Sequence, residues 1–596
     1  MFKNNYFIFL FFYCFHILTF SQDKLMIRKQ IENQIVLLEN KQQFVPILHL
    51  ENEKIALISN NSLSFFEKML MNYAQIFTIK KETKNKTYTT VIYPIFSLEH
   101  VKKIPQKLSF KKRIIVVFSE DVLITLLKNK FSFDVLIFAP NFTQLSQEYT
   151  AQLIFGGIAA KGKLHQKISS KYTKDFGFVT QQIRLKYTIP EEVGINSLFV
   201  QQKVDSIMKK GIENHAFPGA QLLVAKDNKI IFHKTYGYHA YDSITKVQKN
   251  DIYDLASVTK VTGALPPLMK LVEEGELHLD QPFSTYWRSW KYKKNKKKLT
   301  LREILAHQAG LEPYIVFLSK VMKKGRFKKR FIRQKSSRKF VLKAYDYIYV
   351  NKRFTKKMYR VIKRSKIFKV KKYRYSGLSF LIYPKVISDI TKMPYQNYLQ
   401  EEFYKPLGAY TMGFTPKTKG FLNAIVPTEK DTFFRKTLVK GWVHDENAAL
   451  LGGVSGNAGL FATANDLAKL MQMYVQFGYY GGKRYLKEST LKKFTKIQYP
   501  KNENRRGLGF DKPKIGNDTL PLNNAYPAPE VSAKSFGHTG FTGTFIWADP
   551  ENQLVFIFLS NRVYPTRKNR NLYKLNIRPA LQQVFYKALQ NNPLNN

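Results

Sequence analysis

Between residues 30 and 170, short continuous apolar runs alternate with stretches of helical periodicity. A helix-like stretch, Ser64–Tyr73, separates the first apolar run from the second. The apolar runs are Lys54–Ser59, Thr90–Ile95, Arg113–Phe118 and Phe133–Phe138. Continuous apolar strands that alternate with helices are typical of a parallel sheet covered on both faces. The pattern predicts an N-terminal α/β sandwich with a mostly parallel sheet.

From residue 196 to 590 the pattern changes. A helix is predicted from Ser197 to Met208, and then a hairpin, Pro218–His233, turns at Asp227-Asn228. Near the end of the chain, two apolar runs predict another strand pair, Gly543–Trp547 and Leu554–Leu559. A last helix is expected over residues 577–589. Strands at both ends of a helical middle predict an α+β fold with an antiparallel sheet and a helical part.

The length supports this division. A chain of 596 residues exceeds the usual size of one domain. We expect two domains, over residues 30–170 and 196–590, with residues 171–195 as a linker.

The N-terminus has the features of a signal peptide. Lys3 precedes an apolar core that runs from Tyr6 to about Leu18, and small residues at Thr19 and Ser21 suit cleavage before Gln22. We therefore expect residues 1–21 to be removed on export to the periplasm or the medium; the alternative is an uncleaved anchor. Because the single cysteine, Cys14, lies in this core, we expect neither disulfides nor cysteine chemistry in the mature chain.

The net charge of +54 is extreme. Such a charge favours anionic partners in general. The basic residues are spread along the chain, however, and no nucleic-acid-binding motif accompanies them. We therefore expect no nucleic-acid partner, and at most a weak affinity for anionic envelope glycans or lipids. The sequence does not indicate an oligomeric state.

The stretch DLASVTKVTGAL places Ser257 and Lys260 three residues apart before an apolar helix that ends near Gly275. Residues at positions i and i+3 share one face of a helix. A desolvated lysine beside a hydroxyl can accept the proton of that hydroxyl and activate it as a nucleophile. Since Ser-x-x-Lys also occurs by chance, other segments have to support this interpretation.

Three further segments give that support. Tyr375 lies in KYRYSGLSF before a predicted helix, and His538-Thr539-Gly540 lies on a predicted strand flanked by glycines. The segments LAHQAGL, around His307, and LLGGVSGNAGLFAT are glycine-rich turns. In this order, the motifs resemble the serine β-lactamase and penicillin-binding-protein family, in its class C, D-Ala-D-Ala carboxypeptidase and esterase branch. The resemblance covers about residues 190–590.

The resemblance implies a role for each matching residue. Ser257 would be the acylated nucleophile, and Lys260 and Tyr375 would share the general-base work. His538 would be the remaining catalytic group, on the strand edge against which the substrate lies. Thr539, Gly540 and Phe541 would bind the substrate, and the backbone N–H groups of Ser257 and Phe541 would form the oxyanion hole. His307 is expected to support the active-site turn.

Two residues depart from the family pattern. Gly377 stands where penicillin-recognising members carry Asn or Asp, and His538 replaces the lysine of Lys-Thr-Gly. Both argue against efficient β-lactam hydrolysis, and neither affects acylation at Ser257. The very basic stretch of residues 323–372 is either a lid that favours carboxylate-bearing substrates or a solvated face.

The N-terminal region carries a second resemblance. The run AQLIFGGIAAKGKL, residues 151–164, resembles the end of the C-terminal α/β domain of glycoside hydrolase family 3, with His165 in place of a proline. The lead-in at residues 31–47 resembles the phrase that joins that domain to its catalytic barrel. Glycosidase chemistry needs two carboxylates that flank the bond. Because the barrel is missing from this sequence, we expect a scaffold or binding role here.

The sequence thus predicts an exported serine hydrolase that forms an acyl-enzyme on an ester, an amide or a D-Ala-D-Ala-type cell-wall peptide. The alternative is a catalytically inactive cell-wall or glycan-binding protein built from degenerate hydrolase domains. No cofactor is expected. The motif His444-Asp445-Glu446 has no second ligand pair at suitable spacing, so no metal is expected either.

Overall fold

The computed structural model describes residues 23–58, 64–79, 88–104, 112–129, 131–368, 372–421 and 424–590. The predicted signal peptide and Cys14 lie outside these ranges. Within the described ranges, the helices are too short or too polar to cross a bilayer. Helices and strands are numbered in chain order.

The N-terminal region contains a six-stranded sheet in the order β1-β6-β5-β4-β2-β3. Its strands are β1 Val36–Asn40, β2 Ile55–Ile58, β3 Ile76–Ile79, β4 Thr90–Ile95, β5 Lys112–Val117 and β6 Val135–Phe138. Neighbouring strands are parallel except for β1, which pairs antiparallel with β6 at the edge. The predicted strands are therefore present, and the sheet is mostly parallel as expected.

Helices cover both faces of this sheet. They are α1 over residues 23–34, α2 Ser64–Met71, α3 Leu98–Lys102, α4 Glu120–Lys128 and α5 Gln144–Phe155. Apolar side chains of α2 and α5 pack on one face, and those of α3 and α4 pack on the other. Gly156 ends α5 with a φ of 71°, a left-handed conformation that glycine adopts without strain.

A second six-stranded sheet has the order β22-β23-β24-β8-β9-β7. Its strands are β7 Lys186–Tyr187, β8 Gly219–Lys226, β9 Lys229–Gly237, β22 Phe536–Thr539, β23 Phe545–Asp549 and β24 Leu554–Ser560. All pairs are antiparallel except β7 with β9. The predicted hairpin turns at Asp227 and Asn228, which both have positive φ. The sheet brings the first and last strands of the predicted α+β fold together.

Helices surround this sheet and form the middle of the chain. They are α6 Ser197–Glu213, α7 Leu265–Glu273, α8 Leu301–Leu305, α9 Leu318–Val321, α10 Arg353–Arg364, α11 Tyr383–Thr391, α12 Tyr395–Leu399, α13 Lys405–Leu407, α14 Glu446–Leu450, α15 Ala464–Val475, α16 Glu488–Thr495, α17 Asn571–Lys574 and α18 Ile577–Gln590. Helices α6 and α18 pack on one face of the sheet, and α7 and α15 lie in the large core on the other face.

Short strands complete the architecture. They are β10 Tyr253–Asp254, β11 Met322–Lys323, β12 Arg326–Phe327, β13 Ile332–Arg333, β14 Phe340–Tyr345, β15 Ile348–Asn351, β16 Gly413–Phe414, β17 Glu429–Asp431, β18 Thr437–Val439, β19 Leu460–Ala462, β20 Tyr479–Tyr480 and β21 Lys483–Arg484. The basic stretch is thus folded: β11–β12 and β13–β15–β14 precede α10 within it.

Residues 171–195, predicted as a linker, reach the junction of the two regions at Arg184 and Leu185, which are buried, and then form β7 of the second sheet. Arg184, which is 1% exposed, donates from Nη1 to the carbonyls of Ile47 and Phe155, both at 2.7 Å. Lys469 of α15 donates to the carbonyl of Gly408 at 2.6 Å, and Gly408 itself lies against the backbone of Tyr73. The two regions therefore share a close-packed junction, and their division into two domains remains a prediction.

Candidate active site

The turn that carries Ser257 is strained and held by hydrogen bonds. Ala256 has a φ of 45°, which is unfavourable for a residue with a side chain. Its N–H donates to Asp254 Oδ1 at 2.8 Å, and the N–H of Leu255 donates to the carbonyl of Leu460 at 3.0 Å. Ser257 follows in a single 3-10 turn and is half-buried. This strained turn thus holds the Ser257 hydroxyl next to strand β22 of the second sheet.

Lys260 begins a π turn, residues 260–264, that leads into α7. Its side chain is 2% exposed, and Nζ donates to Ser257 Oγ at 2.9 Å and to the carbonyl of Asn457 at 3.0 Å. The predicted pairing of serine and lysine on one face is therefore present. It is made by a 3-10 turn followed by a π turn rather than by a regular α-helix.

Tyr375 lies beside this pair. Lys260 Nζ is 5.4 Å from the centre of the Tyr375 ring. The tyrosine is positioned by His307, whose ring centre is 4.6 Å away and whose Nδ1 accepts from the N–H of Ser376 at 3.2 Å. Burial, with Arg506 next in effect, lowers the pKa of His307 well below its usual value. His307 is thus a neutral residue that packs on Tyr375 and binds the backbone N–H of Ser376.

The strand β22 forms the opposite wall. Gly540 lies so close to the nucleophile turn that a Cβ there would be 2.5 Å from the carbonyl oxygen of Leu255 and 2.0 Å from Thr544 Oγ1. Thr539 is half-buried, and Phe541 is 42% exposed. In the described structure, the N–H groups of Ser257 and Phe541 make no hydrogen bond to a backbone carbonyl. That these two N–H groups form the oxyanion hole remains what the resemblance implies.

His538 faces inward and is 3% exposed. Its Nδ1 donates to the carbonyl of Thr539 at 2.7 Å, and Nε2 is buried without a partner among the described residues. Burial, with Arg506 and Lys260 nearby, lowers the pKa of His538 to about 3. At neutral pH, His538 is therefore an uncharged acceptor, and it does not supply the positive charge of the lysine that it replaces.

That positive charge comes from a residue that the sequence analysis missed. Arg506 is 5% exposed and lies 5.3 Å from the centre of the Tyr375 ring. Burial opposes its charge, but Asp511 at 3.5 Å, together with Tyr373 and Tyr375, raises the pKa of Arg506. Its Nη1 has no hydrogen-bond partner in the described part of the chain. No local motif marks this arginine, because it reaches the site only through the pairing of Asp511 with Gly537 on β22.

Asn457, which the sequence did not indicate either, binds Lys260 through its backbone carbonyl. The carbonyl of Asn457 accepts from Lys260, and the Asn457 side chain donates from Nδ2 to Asp445 Oδ1 at 3.1 Å. Asp445 also caps α14 by accepting from the N–H of Ala448 at 2.8 Å. The glycine-rich run around Asn457 indicated a turn but gave no sign of this role.

The triplet His444-Asp445-Glu446 is structural in this arrangement. His444 Nε2 lies 2.8 Å from Glu429 Oε2, and Arg567 binds both Glu429 and Glu446. Within the described ranges, no cluster of three or more His, Cys, Asp or Glu side chains is placed to hold a metal ion. Instead, His444 of the triplet packs against Phe541: the two rings are stacked, with their centres 5.8 Å apart.

Gly377 leaves an open space next to Tyr375. A Cβ at Gly377 would have no heavy atom within 4 Å. Its N–H donates to the carbonyl of Pro313 at 3.2 Å, so the backbone is fixed even though no side chain is present. The cleft therefore lacks a polar group where penicillin-recognising relatives carry an amide or carboxylate.

The parts that acyl transfer needs thus converge from four chain segments. A serine hydroxyl contacts a buried lysine, a tyrosine lies against that lysine, and Gly540 lies against the backbone of the nucleophile turn. This arrangement can form and break a covalent acyl-serine by nucleophilic attack, proton transfer and stabilisation of an oxyanion.

Comparisons with known proteins identify a family for most of the chain. A family profile described as Beta-lactamase matches residues 204–578. A protein of Salmonella gallinarum, named provisionally as a D-alanyl-D-alanine carboxypeptidase, is 30% identical over 442 residues, which cover 68% of this chain and 93% of the relative. A Salmonella typhimurium protein with the same name is 30% identical over 430 residues, or 66% and 90% of the two chains.

Solved structures show a more distant likeness. A penicillin-binding-protein homologue from Caulobacter crescentus has a TM-score of 0.45 and 16% identity, and the match covers 65% of this chain and 97% of that one. The profile does not reach the N-terminal sheet, so the resemblance of that region to glycoside hydrolase family 3 remains a prediction. The profile spans more than half of the sequence and includes Ser257, Lys260, Tyr375 and His538. The chain therefore belongs to the beta-lactamase family and is a serine hydrolase.

Proposed function

We propose that this chain hydrolyses the terminal amide of peptides that end in D-alanyl-D-alanine, through an acyl-enzyme on Ser257. The observation that carries the proposal is the 2.9 Å contact between Lys260 Nζ and Ser257 Oγ, inside a site that also contains Tyr375. The names of the Salmonella relatives favour this substrate among the acyl compounds that such a site can attack.

The reaction has two halves. Ser257 Oγ attacks the carbonyl carbon, its proton passes to Lys260 and Tyr375, and that pair delivers the proton to the leaving D-alanine nitrogen as the C–N bond breaks. Water then attacks the ester carbonyl and gives a proton to the same groups, which pass that proton to Ser257 Oγ as the acyl–oxygen bond breaks. The N–H groups of Ser257 and Phe541 stabilise the oxyanion in both halves.

The electrostatics favour a substrate that carries a carboxylate. Arg506 is buried beside Tyr375 and has an unpaired Nη1, and Lys260 adds a second basic group nearby. Because His538 is neutral, Arg506 is the fixed positive charge at this end of the cleft. A C-terminal carboxylate would complement that charge, whereas a neutral ester would not.

Gly377 supports a second candidate, the hydrolysis of carboxylic esters. Because residue 377 is a glycine in open space, no side chain is present there to contact the acyl part of a peptide or a β-lactam. A site without that contact discriminates less between acyl groups, so activated esters are accepted alongside peptides.

We also propose that the protein acts outside the cytoplasm, in the periplasm or the medium. The support is the charge and apolar pattern of residues 1–21, together with a substrate that belongs to the cell wall. Pulse-labelling in cells, with a search for the shortened mature chain in the periplasmic fraction, tests this location.

The reaction is tested by release of D-alanine. Purified protein is incubated with an acyl-D-Ala-D-Ala peptide, its L-Ala-L-Ala isomer, a nitrophenyl ester and a chromogenic cephalosporin. We expect D-alanine release from the first substrate, ester cleavage at a lower kcat/KM, and little turnover of the cephalosporin. Ester cleavage without any D-alanine release would replace the peptidase proposal with the esterase one.

A further inference from the structure

The segment of residues 318–368, here called the basic cap, has a charge that the composition of the chain does not explain. It contains 20 Lys and Arg residues and a single acidic residue, Asp346. Its net charge of +19 is about a third of the +54 of the whole chain, in less than a tenth of its length. A bias spread evenly over the chain would give the cap about a quarter of this charge.

The charges of the cap are not neutralised within the protein. Asp346 pairs with Lys417, which lies outside the cap. Among the described residues, none of the cap's own lysines and arginines forms an ion pair. Most of these cations are exposed, so the cap presents a dense and unpaired positive surface.

The cations are gathered by the fold. Lys357 of α10 and Arg330, from the loop before β13, both lie on the ring of Phe331, at 4.5 and 4.8 Å from its centre. Burial and the surrounding cations Arg330, Lys328, Lys320 and Arg360 lower the pKa of Lys357. Three separate elements thus bring like charges together, which is unfavourable unless an anionic partner is present.

The cap is anchored to the core of the protein through α10. Phe354, Met358 and Ile362 turn the apolar side of α10 into the core, and its cationic side faces outward. The buried Lys296 fastens the end of this helix by donating to the carbonyls of Ile362 at 3.0 Å and Ser365 at 2.6 Å. A face that is held in this way keeps its shape when it binds.

We propose that the basic cap binds the surface of a bilayer that contains anionic phospholipids. The cations come from α9, the β11–β12 hairpin, the loop before β13 and α10, so they form a broad face that needs many phosphates at once. Exposed apolar side chains, Val341 at 53% and Phe368 at 41%, lie within the same segment and suit contact with the interfacial region. Each cation near such a surface adds to the attraction.

Binding in this way brings the active site to the membrane. The end of the cap pairs with the active-site segment, because the N–H of Phe368 donates to the carbonyl of Gly310 at 2.9 Å. A few residues later, Arg374 donates to the carbonyl of His307, directly before Tyr375. The end of the cap therefore lies next to the segments that carry His307 and Tyr375. The proposal does not depend on the reaction at Ser257.

The test is co-sedimentation of the full protein with vesicles of phosphatidylcholine, with and without about 30% phosphatidylglycerol, at about 0.15 M salt. One variant reverses four exposed cap cations, by Lys320→Glu, Arg330→Glu, Lys356→Glu and Arg360→Glu. The matched control reverses four exposed cations outside the cap, by Lys203→Glu, Lys210→Glu, Lys246→Glu and Lys568→Glu. The two variants have the same net charge.

We expect wild type to bind only the anionic vesicles, the cap variant to lose at least about tenfold in partitioning, and the control to lose less than about threefold. Equal losses in the two variants, or no binding by wild type, would overturn the proposal. Release of wild type from the vesicles by a small excess of soluble polyphosphate would also overturn it, in favour of a free anionic polymer. An unchanged midpoint of urea unfolding verifies that the cap variant is folded.

If the fourfold cap variant does not fold, a second variant, with neutral residues at the turn of the β11–β12 hairpin, provides an independent test. Lys323→Gln, Lys324→Gln and Arg326→Gln alter three exposed cations at the β11–β12 turn. A partitioning loss of at least about threefold supports the proposal, and unchanged partitioning contradicts it.

Discussion

Two buried arginines show how differently the two regions of the molecule use polar groups. Arg184, at the junction with the N-terminal sheet, donates to the backbone carbonyls of Ile47, Leu48 and Phe155. Arg506, in the cleft, is also buried, but its partners are side chains, Tyr373 Oη at 3.3 Å and Asp511 Oδ1 at 3.5 Å. Among the described residues each arginine leaves one buried nitrogen without a partner, Nε of Arg184 and Nη1 of Arg506. The difference lies in the acceptors: bonds to backbone carbonyls of separate segments hold those segments together, whereas Arg506 binds side chains at the cleft.

The same contrast holds for two lysines. Lys469 is 1% exposed and donates to Asp466 and to the carbonyl of Gly408 at the junction. Lys260 is 2% exposed and donates to a serine hydroxyl. Burial alone therefore does not mark a catalytic lysine; the group to which it donates does.

The largest effect is expected from Ser257→Ala. Removal of the hydroxyl removes the nucleophile, so kcat/KM should fall at least about 10³-fold on every substrate of the enzyme. Kinetics on the nitrophenyl ester measure this, with Ser319→Ala, an exposed serine of the basic cap, as the control. Activity that survives Ser257→Ala would contradict the assignment of the nucleophile.

The two lysines should respond in opposite ways. Lys260→Met should lower kcat/KM by about 10² to 10⁴-fold, because proton transfer from Ser257 is lost, with little change in stability. Lys469→Met should lower the free energy of unfolding by about 3 kcal/mol, because Asp466 stays buried without its cation. Parallel kinetics and urea unfolding measure both quantities. If both variants lost mainly stability, the contrast between the regions would be wrong.

A smaller effect is expected at the tyrosines. Tyr375→Phe keeps the ring against His307 and removes only the hydroxyl, so kcat/KM should fall about 10²-fold. Tyr373→Phe, at the rim, removes a hydroxyl that accepts from Arg506 at 3.3 Å and should change kcat/KM by less than about threefold. Equal losses would mean that Tyr375 acts only through packing.

The smallest effect is expected at His538, on the pH dependence of the free energy of unfolding. The pKa of His538 is lowered by burial to about 3, whereas a histidine of the unfolded chain titrates near 6.5. Between these two pH values the unfolded chain binds the additional proton, so His538 makes the free energy of unfolding rise with pH in this window. His538→Gln should flatten that rise in urea unfolding. His165→Gln, at an exposed site of the N-terminal region, should leave it unchanged; the reverse result would rule out a buried neutral His538.

The sequence predicted elements best where the pattern is local. The hairpin at Asp227-Asn228 and the final helix are confirmed within a few residues, because turn residues and apolar periodicity determine them directly. The edge strand β1 was not predicted as a strand, because its antiparallel pairing with β6 is a long-range contact without a local signal.

The same distinction between local and long-range signals holds for the residues of the active site. Ser257, Lys260, Tyr375 and Gly540 were predicted from short motifs, and the structure brings all of them together. Arg506 and Asn457 were missed because their roles depend on tertiary pairing. His538 was predicted at the site, but its neutral state follows from burial, which sequence alone does not give.

The most direct test of the central claim is the mass of a covalent adduct. Purified mature protein is treated with a fluorophosphonate probe, and the labelled peptide is identified by intact mass and peptide mapping. We expect one adduct per chain, on Ser257, which is absent from Ser257→Ala and greatly slowed in Lys260→Met. A folded protein that stays unlabelled, or that is labelled at another residue, would contradict it.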